Sequence, residues 1–494
     1  MPVLAIDAGT TGVTALVVDE DGTVTGRGYR EFPQLFPRPG WVEHEPDAIW
    51  SATLTAVRQA IKQAPEPPTA LGITNQRETV VVWDRRTLTA PRPAIVWQDR
   101  RTAAICDELR EAGHEDEVRR LTGLRLDPYF SATKLVWLQR NEPDTWEGIE
   151  NNRYAIGTVD SYLIARLTGG REHVTDATNA SRTLLYDTFA GQWSDELCAL
   201  FGVPRDALPQ VVPSSSEIAT TDPTLTADRA TLPIAGIAGD QQAALFGQAC
   251  FTPGAAKCTY GTGSFILVNT GSEAVRSEAG LLTTVAWDLG DGPVYALEGA
   301  IFVTGAAVQW LRDELQIIGS APEVESLAAT VEDSAGVVFV PALTGLGAPD
   351  WDARARGTII GLTRGTNRAH LARATLDAIA FEVRDVVDAM ARESGTSIEE
   401  LSVDGGASEN DLLCQLQADQ LGAVVRRPRT LETTGQGAAF LAGLATGVWA
   451  STDEIAATWQ EERRFEPAPG VRDDGSHDRW RDAVRRSLNW ATTD

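Results

Sequence analysis

An apolar run, a Gly/Thr turn and a second β-rich run open the chain, and the same arrangement returns halfway along it. The first reads VLAID, AGTTG, VTALVVDE; the second reads AAKCTYGTGSFILVNTG. Short apolar runs bounded by such turns predict strands joined as hairpins. Two similar hairpins, each starting about half the chain, point to an internal duplication. A length of 494 residues also exceeds what one hydrophobic core ordinarily holds, so two domains are expected, 1–247 and 248–494. Between the hairpins, residues 46–62 place Ile49, Trp50, Leu54, Val57 and Ile61 at helical spacing. TALGITNQRETVVVWD then returns to strand, and LPIAGIAGDQQAALFGQ reads as strand, tight turn and helix start. Strands alternating with amphipathic helices make the class α/β.

The charge balance narrows the partners. A formal net charge of −26 repels nucleic acid and anionic lipid, so neither is expected. Any nucleotide site must then be locally positive or metal-assisted. Lysine is confined to Lys62, Lys134 and Lys257. Cys106, Cys198, Cys250, Cys258 and Cys414 are odd in number and lack Cys-x-x-Cys spacing, which argues against a disulfide framework or a structural zinc site. The opening MPVLAIDAGTTG has no basic region followed by an apolar one, and no run of about 18 apolar residues occurs. The expected setting is a reducing cytoplasm, with no membrane span. Oligomeric state is not legible, and a homo-oligomer stays open.

Four Gly turns carry the candidate chemistry. Asp7-Ala8-Gly9-Thr10-Thr11-Gly12 ends a strand with an acid and follows it with small residues. Backbone N–H groups and hydroxyls there can approach phosphate oxygens, and the carboxylate can hold Mg²⁺ through water. Without the Walker A lysine it is no P-loop; judged alone, it reads as a plain hairpin with a capping Asp. Gly239-Asp240-Gln241-Gln242 puts an acid at a helix start, where it caps the helix or faces a substrate hydroxyl as a base. TYGTGSF around Thr262 and DGGASEN around Gly405 and Gly406 are the remaining turns. Together they resemble the phosphate and adenosine segments of the actin, heat-shock and sugar-kinase superfold, in which ATP lies between two related ribonuclease-H-like domains.

Two longer segments are more specific. YFSATKLVWLQRN, residues 129–141, carries Ser131, Lys134 and Trp137; GTIIGLTRGTNRAHLARATLD, residues 357–377, carries Gly361, His370 and Ala374. Both resemble the signatures of the FGGY carbohydrate kinases. PGWVEHEPDAIW, GITNQRETVVVWD, AIVWQDRRTA, HVTDATNASRT and PALTGLGAPDWD extend the likeness across nearly the whole chain, toward those members whose acceptor is glycerol. The resemblance implies ATP and Mg²⁺ as cofactors and phosphorylation of glycerol to sn-glycerol 3-phosphate. It implies Asp240 as general base, Arg77, Glu78, Tyr129 and Gln241 as hydroxyl ligands, and Trp97 and Phe265 as apolar walls. Thr10, Thr11 and Gly12, with Thr262, Gly305, Gln309, Gly406 and Asn410, would form the nucleotide site, and Asp7 would help hold Mg²⁺. Outside the joint match, Arg77-Glu78 reads as a structural ion pair on a strand edge, and Tyr129 and Trp97 as core aromatics.

The chain also departs from its resemblance. Ala8 and Thr14 stand where Gln and Arg are usual, Asp350 where an aromatic is common, and Gly435-Gln436 where Ala-Leu is typical. Residues 221–232 lack a Gly-rich basic regulatory loop and any His resembling a phosphorylated one. These departures leave two other readings: a kinase of another small polyol or ketose on the same fold, and a sensor that binds ATP or glycerol without turnover.

Overall fold

The computed structural model describes residues 1–223 and 231–491. Of the stretch 221–232 read for regulation, residues 224–230 therefore lie outside the described ones. Two mixed sheets repeat one plan. In the first, Val3–Ala8 runs antiparallel to Gly12–Val18, which pairs antiparallel with Val24–Glu31. On its other side Val3–Ala8 is parallel to Ala70–Asn75, itself parallel to Pro233–Gly239. In the second, Ala256–Tyr260, Ser264–Gly271 and Pro293–Ile301 form the antiparallel limb, and Glu400–Asp404 and Val424–Pro428 the parallel one. Each sheet thus has the order third-second-first-fourth-fifth of a ribonuclease-H-like unit, extended by edge strands to six and seven strands. Both halves begin with the hairpin that the Gly/Thr turns predict.

Helix Pro46–Gln63 forms where the periodicity places it, with Pro46 in its first turn, where a missing N–H costs nothing. Its buried face differs from the expected one. Ile49, Ala52, Thr53, Ala56, Val57 and Ala60 are buried, while Trp50, Leu54 and Ile61 lie at the rim. The cause is the neighbouring strand Val24–Glu31, which brings Gly26 and Gly28 against the backbone of Ala60 and Ala56. Small residues meet there, and the bulky ones are displaced sideways.

The helices Asp240–Gly247 and Thr433–Ala445 cross between the two sheets. A Cβ on Gly437 would lie 1.8 Å from the carbonyl of Ala243, and one on Gly247 2.0 Å from that of Thr433. Only glycine permits this approach. Around the crossing, Val3, Leu16 and Ala70 share one core with Phe246, Leu267, Trp287 and Phe440, so apolar residues of both halves pack beneath the cleft. Two departures find their reason here. A Cβ on Gly435 would meet Leu16 at 2.6 Å, and Gln436 donates through Nε2 to the Gly22 carbonyl (2.8 Å).

Candidate active site

Strand Ala70–Asn75 ends in a tight turn, and Arg77 and Glu78 sit in that turn rather than on a strand edge. Glu78 has φ +62°, a left-handed conformation that costs a non-glycine residue about 1–3 kcal/mol and collects at functional sites. Ser131, at the start of helix Ser131–Asn141, donates to the Glu78 carbonyl at 3.0 Å. Lys134, fully buried one turn later, donates to the carbonyls of Pro128, Tyr129 and Phe130 at 2.6, 2.7 and 2.9 Å. The first signature segment therefore holds the turns that carry Glu78 and Tyr129.

Arg77 is the centre of the site. Its Nη1 donates to Gln242 Oε1 (3.1 Å) and to Glu298, its Nη2 to Tyr129 Oη (3.1 Å) and to the other Glu298 oxygen (3.0 Å). Nε lies 3.2 Å from Asp240 Oδ1. Four of the five guanidinium N–H groups are thereby hydrogen-bonded, and the Nε–H remains on the Asp240 side. Arg182 completes a buried ion network, donating to Glu78 Oε1 (2.7 Å) and Glu298 Oε1 (2.8 Å). Burial pushes the Glu298 carboxyl up, but Arg182 and Arg77 outweigh it and hold it below the ordinary range. For Glu78 burial wins over Arg77 and Arg182, and its carboxyl is raised.

Asp240 is the first residue of helix Asp240–Gly247, and its carboxylate accepts from the Gln241 amide at 2.7 Å. Its side chain keeps 28% exposure, so it opens on the cleft. Burial raises its pKa against the opposing pull of Arg77 and Lys257. Lys257, fully buried, donates to Gln241 Oε1 and to Thr259 Oγ1 (2.8 Å). Trp97 lies 5.6 Å from Tyr129 and 6.2 Å from Phe265, ring to ring, and Phe265 sits 5.8 Å from the Arg77 guanidinium. Arg77, Glu78, Tyr129, Asp240, Gln241, Trp97 and Phe265 thus form one connected group. Tyr129 is also a core aromatic, buried at 5% exposure.

Trp97 joins this group to the first hairpin by donating its indole N–H to Thr10 Oγ1 (2.9 Å). Among the described residues the amides of Thr10 and Thr11 have no acceptor, which leaves them for an anion. In the second hairpin the Thr262 carbonyl accepts from Thr304 (2.9 Å) and Ala306 (3.0 Å), and the Gly261 carbonyl from Gly305 (3.0 Å). A Cβ on Gly305 would come within 2.6 Å of the Gly261 oxygen, so the helix Gly305–Asp313 starts in direct contact with that turn. Gln309 is exposed one turn further along. Gly406 is exposed with open space beside it, and Asn410 caps helix Asp411–Leu421 through Oδ1, leaving its amide nitrogen free of that bond.

Asp7, on the strand before the first hairpin, has no hydrogen bond or ion pair to its carboxylate among the described residues. Burial, then Asp240 and Glu432, push it up to about 8. A carboxylate crowded by like charges suits a cation. No trio of ligating side chains converges among the described residues.

Sequence reasoning missed Glu298, Arg182, Lys257 and Gln242. The available signal was a lone charge inside an apolar strand, as in YALEGAI and AKCTY; such a charge needs a buried partner.

Residues 2–247 match the N-terminal domain model of the FGGY family of carbohydrate kinases, and residues 256–446 its C-terminal domain model. The chain is 53% identical over 492 residues to Glycerol kinase 2 of Thermotoga maritima, covering 99% of both chains. It is 54% identical to the glycerol kinase of Deinococcus radiodurans, covering 99% of this chain and 98% of the relative. Among solved structures it resembles Plasmodium falciparum glycerol kinase with ADP, at 35% identity and a TM-score of 0.92, covering 99% of this chain and 98% of the other.

Proposed function

This chain belongs to the FGGY family of carbohydrate kinases, and we propose that it transfers the γ-phosphoryl group of ATP to a terminal hydroxyl of glycerol, giving sn-glycerol 3-phosphate. The single observation that carries the mechanism is the 3.2 Å pairing of the partly exposed Asp240 with Arg77, beside the rings of Trp97 and Phe265. A neutral triol is recognised by hydrogen bonds. Arg77 supplies donors, Glu78 acceptors, and Tyr129 and Gln241 either. Asp240 takes the proton of the attacking hydroxyl as its oxygen bonds to the γ-phosphorus. The bond from that phosphorus to the bridging oxygen breaks, and the electron pair leaves on ADP. A carboxylate raised by burial is a better proton acceptor than one in water.

The free amides of the first hairpin receive phosphate oxygens through Thr10, Thr11 and Gly12, while Thr262, Gly305, Gln309, Gly406 and Asn410 line the rest of the nucleotide's course. Mg²⁺ at Asp7, when bound, supplies neutralisation of the phosphate charge. The cytoplasm, where ATP is held, is the compartment this reading requires. A coupled ADP-release assay on glycerol, dihydroxyacetone, erythritol, xylulose and gluconate tests it. Glycerol should give the highest kcat/KM; another acceptor preferred by more than about tenfold would overturn the assignment.

A further inference from the structure

Four successive carbonyls of the first hairpin are each held by a specific donor. The Gln76 amide holds the Ala8 carbonyl (2.9 Å) and the Phe32 amide the Thr11 carbonyl (3.3 Å). Between them, Gln76 Nε2 holds the Gly9 carbonyl (3.0 Å) and Gln34 Nε2 the Thr10 carbonyl (2.8 Å). The two glutamines are bridged by one ring: His44 Nε2 lies 2.6 Å from Gln34 Oε1, and His44 Nδ1 3.3 Å from Gln76 Nε2. The Thr79 hydroxyl donates to Gln76 Oε1 (2.9 Å), which orients that amide with its nitrogen toward His44. The circuit then admits one arrangement. Gln76 donates to Nδ1, the ring donates from Nε2, and Gln34 passes the direction on to Thr10. His44 and Gln76 are fully buried, and Phe32 packs edge-on against the ring at 5.0 Å.

We propose that His44 is a positioning residue for the nucleotide's phosphates, acting through Gln34 and Gln76. A carbonyl pointing into the cleft would repel a phosphate oxygen; a carbonyl held by its own donor leaves the amides of Thr10 and Thr11 to meet it. His44 itself touches neither substrate. The inference rests on the kinase reading above, because it assigns this ring to phosphate binding and not to the polyol pocket.

Isothermal titration of wild type, H44A, Q34A and H44Q with MgADP, and separately with glycerol, tests it. Gln at position 44 keeps one donor and one acceptor, so H44Q should stay within about threefold of wild type for both ligands. H44A and Q34A should weaken MgADP by about tenfold and leave glycerol within about twofold. Gln34 is partly exposed, so Q34A keeps the test informative if H44A fails to fold. Unchanged MgADP binding in Q34A, equal loss of both ligands, or H44Q no better than H44A overturns the assignment. A wild-type chain that binds no MgADP overturns the kinase reading, and this assignment with it.

Discussion

Asp240 and Glu298 grip Arg77 from different elements, and their substitutions separate proton transfer from positioning. Asp240→Asn keeps the shape and an acceptor toward Arg77 but removes the base. Turnover should fall by about 10²–10⁴ while glycerol affinity, measured by titration, changes little. Near-wild-type turnover would remove Asp240 from the reaction. Glu298→Gln acts differently. It leaves two buried guanidiniums facing an amide that accepts through one oxygen only, a change on the order of 3–5 kcal/mol in buried ion networks. The expected readouts are a lower melting temperature and a KM for glycerol raised more than that for ATP. The same pair shows why the site was half legible. Asp240 directly follows an apolar strand, so the sequence places it at a strand end, whereas Arg77 is singled out only by the family resemblance. Glu298 lies 221 residues from Arg77, inside an apolar strand. Nothing local to either residue announces that they meet.

The long helix Arg368–Ser394 is capped by Asn367, which accepts from the Ala369 and His370 amides, while His370 Nδ1 accepts from the Asn367 amide (3.1 Å). Neither this helix nor its packing partner is read from the sequence, where residues 357–377 serve only as a signature. Asp385, on this helix, accepts from His477 (2.8 Å), Trp480 (2.8 Å) and Arg481 (2.9 Å) of helix Ser476–Ser487. Arg481 also binds Asp350 through two bonds of 3.0 Å, which accounts for an acid where an aromatic is common. Glu382, one turn before, is left with Oε2 unpartnered. Burial, then Asp385 and Asp350, raise its pKa well above 4.5. The folded state therefore holds a proton that the unfolded chain releases above 4.5, so stability drains as pH rises through that value. Glu382→Gln removes the titration. Its melting temperature should fall less than that of wild type between about pH 5 and pH 8, and should exceed it at the upper end. Parallel curves for the two proteins would show that Glu382 is ionised in the fold.

At the scale of the molecule, the duplicated hairpins made the two-sheet plan readable, while the cleft between them depends on which residues cross it. That cleft faces an electrostatic conflict. The whole chain carries −26, and Asp240 and Glu432 add like charges beside Asp7, near the place proposed for the phosphates. Arg27, half-exposed on the strand beside Thr14, pairs with Glu432 at 2.8 Å and offsets only part of this. Thr14 itself brings no cation to that face. Glycerol is neutral and serves as an internal control. The Debye length shrinks from about 30 Å at 0.01 M salt to about 10 Å at 0.1 M, so screening relieves the long-range repulsion of MgATP first. Steady-state kinetics across that range should show the KM for MgATP falling by about two- to threefold, with the KM for glycerol constant. A rise in the MgATP value instead would mean that Arg77, Lys257 and the hairpin amides outweigh the global charge at the distance from which the nucleotide approaches. The negative surface would then be a solubility feature, without effect on the encounter.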